Sequence, residues 1–171
     1  MSISGNGREY DISFLIGDKV ATTTSQYKVV GFVPGTTTSA DRTVDLCGQT
    51  GTNADATAAS SFAIGINQTY LSSTADTASI RLFGVSKAYC AHSIGAGSFV
   101  AAYNGISTTT MNGRIMQLVD GATMGTADLT ATAQFVILGR ALENGSTGTV
   151  ISVFLNPQFY DRQLVGSLTV T

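Results

Sequence analysis

The stretch Gly148-Thr-Val-Ile-Ser-Val-Phe-Leu155 is the clearest strand in the chain. Val150, Ser152 and Phe154 fall on one side and Ile151, Val153 and Leu155 on the other, with the period of two that a pleated strand imposes. Its β-branched and aromatic residues suit a pleated, packed surface. Apolar residues on both faces predict a central place in a sheet. Asn156-Pro157 follows, and the strand is expected to stop there, because proline donates no ladder hydrogen bond.

The same signal recurs on the N-terminal side of this segment. Strands are predicted over Asp11–Ile16, Tyr27–Val33, Arg42–Cys47, Ser61–Ile66, Ala78–Phe83, Val85–Cys90, Ser98–Tyr103, Arg114–Val119 and Gln134–Gly139, with Gly84 read as a break between two of them. Pro34-Gly35, Asn104-Gly105 and Asp120-Gly121 are turn pairs. Polar clusters at Thr22–Ser25, Thr36–Ser39, Ser72–Thr74 and Ser107–Thr110 separate the apolar runs. No segment carries apolar residues at helical spacing between credible caps, and no fixed repeat is present. The fold class expected is all-β, a small β-barrel or sandwich. Composition divides the chain into a loop-rich N-terminal arm (1–58), a strand-dense barrel domain (59–156) and a C-terminal tail (157–171). The tail's Leu164, Leu168 and Val170 could close the barrel or pair with a neighbouring chain's sheet.

With 171 residues and 17.7 kDa, the chain is long enough to bury a core without disulfides or metals. Its charge content is unusual. Charged residues make up 12%, against about 25% in ordinary domains. Only Lys19, Lys28 and Lys87 are lysines, whereas Ser and Thr supply about a quarter of the chain. A net charge of −2 leaves no basic stripe for nucleic acid. No apolar run approaches a membrane span, and the N-terminal residues lack a signal-peptide core, so the product is expected in the cytosol where it is made. Surface charge keeps proteins apart, and lysines blunt sheet edges. A chain short of both is expected to give much of its surface to an assembly.

The search for chemistry finds little. The only histidine, His92, could share a strand face with Cys90 or act with Ser93. No nucleophile elbow or cysteine-protease context surrounds them, and a polar strand end is the simpler reading. Cys47 and Cys90 form no CxxC pair and read as buried thiols. The aspartates lie mostly in loops, where they stabilise turns. Gly5-Asn-Gly7 and Gly95-Ala-Gly97 read as turns rather than phosphate loops. Tyr10, Tyr70, Tyr103 and Tyr160 are the aromatic residues a carbohydrate platform would need. No catalytic residue, cofactor or metal site is expected.

One ordered set of motifs resembles a known family. Gly84-Val85 with Lys87-Ala88 is followed by Ile94-Gly-Ala-Gly-Ser-Phe-Val100 and Asn104-Gly105, then by Gly139-Arg-Ala-Leu-Glu143 and Gly148 to Leu155, with Phe62-Ala-Ile-Gly-Ile66 upstream. This order resembles the small head decoration, or cement, proteins of tailed bacteriophages, over residues 61–156. The resemblance implies a tulip-like β-barrel that forms a homotrimer on the outer surface of an icosahedral head. There it would bind the major capsid protein and stabilise the shell, with no enzymatic activity and no nucleic-acid or membrane partner. Residues outside the pattern, Arg8, Tyr10 and Asp11 and, in the tail, Phe159, Tyr160 and Arg162, are the expected contacts with the shell or a sister subunit. The alternative is a β-rich receptor- or carbohydrate-binding module of a phage fibre or adhesin, which would present an aromatic-lined groove.

Overall fold

The computed structural model describes residues 9–16, 26–32, 43–47, 63–70, 77–103, 111–118 and 135–160. Among these there is no α-helix. Nine strands account for most of them: β1 (Tyr10–Ile16), β2 (Val29–Phe32), β3 (Thr43–Leu46), β4 (Ala63–Asn67), β5 (Thr77–Tyr89), β6 (Phe99–Ala102), β7 (Ile115–Gln117), β8 (Phe135–Ala141) and β9 (Val150–Tyr160). The expected all-β, barrel-like class is what forms. The Thr/Ser clusters at 22–25, 36–39, 72–74 and 107–110 lie outside the described residues.

The sheet order is β1-β3-β2-β4-β5-β9-β8-β6-β7, and β1 also pairs with β5. The first five strands therefore close a cycle of pairings, antiparallel except for β1 with β3. A closed cycle leaves no free edge to aggregate. Its core cluster draws on all five strands, with Val30, Val44, Ala78 and Ile80 buried and Phe14, Ile64 and Leu82 packed against them. The other strands form an antiparallel sheet, β5-β9-β8-β6-β7, which curls until Cys90 bridges to Ile115 of β7. Its core contains Ala88, Val100, Leu138, Ile151, Val153 and Leu155, together with Val29 and Ile66 from β2 and β4. Adjacent residues Val29 and Val30 thus serve different cores, as alternation along a strand requires.

Strand β5 joins the two units. Residues before Gly84 pair with β1 and β4, and residues from Gly84 onward pair with β9. Gly84 has φ +99°, a conformation that costs glycine little. Gly84 was expected to end a strand; instead it lets one long strand change partners. Asn156-Pro157 likewise does not stop β9. The ladder with β5 ends at Leu155, and beyond it β9 pairs only with β8. A proline there removes no bond on the β5 side, which is why the strand continues to Tyr160. Strands β1, β2 and β3 all fall within residues 1–58, so the described part of that region is built into the closed cycle.

Candidate functional site

The outward face of the second sheet carries an apolar row. Ladder registers set Val85 opposite Phe154, Phe154 opposite Arg140, and Arg140 opposite Phe99, across β5, β9, β8 and β6. Phe83, on the same side of β5, meets Phe154 edge to face with centroids 5.5 Å apart. The Arg140 guanidinium lies 3.9 Å from the Phe99 ring centroid, and its Nη1 donates to the Gly97 carbonyl at 3.1 Å. Phe83, Val85, Phe99 and Phe154 remain 41, 43, 41 and 38% exposed. The inward residues of β9, Ile151, Val153 and Leu155, are buried. So β9 is central, as its two apolar faces predicted, but one of those faces is open.

The neighbouring row is polar. Lys87 stands opposite Ser152, and its Nζ donates to Ser152 Oγ at 2.9 Å and faces Glu143 at 3.5 Å. The Glu143 carboxylate accepts the Ser152 backbone N–H. The Ser152 contacts first, and Lys87 after them, hold the Glu143 carboxyl below its ordinary range.

At the β1 end of this face lies a cluster of charges. Asp11 and Arg81 are ladder partners, and the guanidinium grips the carboxylate with Nε to Oδ1 at 2.8 Å and Nη2 to Oδ2 at 3.1 Å. Glu9 approaches the same guanidinium at 3.0 Å. Arg81 Nη1 also donates to the Val85 carbonyl, which ties the cluster to the apolar row. The guanidinium is held more firmly protonated, first by the Asp11 hydrogen bond.

Of the residues expected to make contacts, Asp11 is engaged within the chain by Arg81. Tyr10, half-buried, stands opposite Phe83 in the ladder. Phe159 and Tyr160 extend β9 and pair with Val136 and Phe135 of β8. Arg8 and Arg162 lie outside the described residues. The structure thus brings Tyr10 and Asp11 to the edge of the exposed face and sets Phe159 and Tyr160 at the far end of β9. Sequence reasoning missed Phe83, Val85, Phe99, Phe154 and Arg140. The signal was present in the Val150, Ser152 and Phe154 side of the opening stretch, which sequence reasoning used only to place the strand centrally in a sheet.

Other features offer less. An apolar cleft of about 420 Å³ is lined by Phe14, Phe32, Ile64, Leu82, Val136 and Pro157, where the two units meet. It holds no polar side chain to orient a ligand or carry chemistry. Cys47 and Cys90 are both buried, and burial pushes the Cys90 thiol up, opposite to an activated nucleophile. His92 is exposed and packs edge to face on the buried ring of Tyr103. Tyr103 is therefore unavailable to a carbohydrate platform, while Tyr70 is exposed. Lys28 and Arg114 lie close enough that Lys28 is held below its ordinary value, by burial first and by Arg114 second. No group of three metal-ligating side chains occurs among the described residues, and no helix among them is long and apolar enough to cross a membrane.

No protein-family model matches the chain, and comparison with characterised proteins returned no relative.

Proposed function

We propose that this chain is a capsid decoration protein of a tailed bacteriophage. In this reading a homotrimer sits on the outer surface of an icosahedral head, bridges neighbouring copies of the major capsid protein and stabilises the shell. One observation carries the reading. Four of the stretches that resemble the cement family, Gly84–Ala88, Ile94–Val100, Gly139–Glu143 and Gly148–Leu155, gather on the single sheet β5-β9-β8-β6, which presents the exposed apolar row, while Ala63–Ile66 of another lies on β4. An exposed apolar row suits a protein that works in contact with others.

The mechanism is linkage. A protein that binds only the expanded lattice stabilises it by RT ln(1 + [L]/Kd), about 2.7 kcal/mol at a hundredfold excess over Kd. A trimer multiplies weak contacts through avidity. Arg8, Tyr10, Asp11, Phe159, Tyr160 and Arg162 are the proposed contacts with the shell or a sister subunit. The test is cosedimentation of purified protein with heads that lack a decoration protein. Saturable binding that raises the temperature of DNA release is expected, and heads that neither bind it nor gain heat resistance refute the reading. Removing residues 1–8 leaves β1 whole and is expected to weaken head binding without altering the fold.

A further inference from the structure

The exposed apolar row carries opposite charge at its two ends. At one end Arg140 has no carboxylate partner among the described residues; its contacts are the Phe99 ring and the Gly97 carbonyl. At the other end, beyond Phe83 and Val85, two carboxylates, Glu9 and Asp11, share the single guanidinium of Arg81. The Glu9 side chain is 47% exposed. A cationic end and an acid-rich end stand at opposite sides of one curved, apolar face and are complementary to each other, and no ion pair joins them within the described residues.

We infer that this face is a head-to-tail contact between copies of the chain, with the Arg140–Phe99 end of one copy set against the Glu9–Asp11 and Phe83–Val85 end of the next. Contacts of this kind join unlike patches and close into a ring when the rotation allows. Apolar area is available at both ends. At about 40% exposure each of the three phenylalanine rings offers roughly 80 Å². With Val85, Val150 and Leu142, also exposed, the apolar patch reaches roughly 400 Å²; a head-to-tail contact takes one end of it from each copy, so this area is shared between the two contacts each copy makes, which places each at the small end of specific interfaces. Arg is also among the residue types enriched at the energetic centres of interfaces.

The inference deepens the proposed reading, since it locates the seam of the assembly and takes from that reading only the count of three. It is tested on isolated protein by sedimentation velocity, comparing the full chain with Arg140→Glu, Glu9→Arg, the double variant and Phe154→Ser, with circular dichroism to confirm that each is folded. The full chain is expected to form a closed oligomer. Arg140→Glu and Phe154→Ser should each weaken association about 30-fold or more. The double variant should recover much of what Arg140→Glu and Glu9→Arg lose singly, an outcome that misfolding cannot imitate.

A full chain that stays monomeric at about 100 µM overturns the inference. So does an oligomer indifferent to Arg140→Glu and Phe154→Ser, a double variant as weak as the single ones, or a twofold dimer joined by like patches. An oligomer that behaves as expected but ignores phage heads leaves the contact standing and removes the capsid reading.

Discussion

Replacing Gly139 by alanine tests the geometry of the sheet that builds the exposed face. Gly139 pairs with Leu155 at a bulge in the β8–β9 ladder and with Val100 of β6. A Cβ there would overlap the Phe154 carbonyl oxygen outright and come within 2.9 Å of its carbon and 3.0 Å of Leu155 Cα. These are backbone atoms of a strand held on both sides, since Phe154 also pairs with Val85 of β5. Relief requires β8 and β9 to separate locally. Two ladder hydrogen bonds at about 1 kcal/mol each, plus about 1–3 kcal/mol of overpacking strain, put the cost at about 3–5 kcal/mol. For a chain of this size that lowers Tm by about 6–20 °C. Gly97→Ala is the matched control: its φ is +81°, yet a Cβ there meets nothing within 4 Å. It should cost only the left-handed backbone penalty, about 1–2 kcal/mol. The assay is urea or thermal unfolding of both variants at one protein concentration, because assembly shifts apparent stability. Equal losses in the two variants would show that the close approach of β8 to β9 is not what Gly139 serves.

Four further outcomes follow from the same contacts. Asp11→Asn removes the charged grip on Arg81 that docks β1 on β5, and is expected to cost about 1–2 kcal/mol in urea unfolding. Glu143 is stabilised as a carboxylate, so its contribution is present above its unfolded value near 4.5 and is lost as pH falls through the lower folded value. Glu143→Gln should flatten the stability profile in that acidic window and leave the profile at neutral pH level. Lys28 has the opposite sense: its ammonium is disfavoured by burial and by Arg114, so stability rises with pH between the lowered folded value and the unfolded 10.5. Lys28→Met should remove that rise and raise Tm at pH 7. Cys47 and Cys90, both buried, should resist a thiol reagent in native buffer and both react in denaturant; fast native labelling of Cys90 would contradict its place in the core.

The amino-acid sequence by itself determined that the protein is all β and where most strands lie. Period-two alternation is a local property, so Val150 to Leu155 and Arg42 to Cys47 announce themselves without knowledge of their neighbours. It also determined which residues are apolar, among them Phe99, Phe154, Phe83 and Val85. The tertiary structure alone decided which apolar faces are covered. β9 shows the difference: Ile151, Val153 and Leu155 meet the core, while Val150 and Phe154 do not, and Ser152 alone hints at which of the two faces is the open one. Partner choice along β5 was equally hidden, because Gly84 reads as a break until the pairings on its two sides are known. The charge separation at the two ends of the row depends on register across four strands and on Asp11 meeting Arg81, 70 positions later in the chain. Burial and long-range pairing are properties of the packed chain, and the exposed face exists only there.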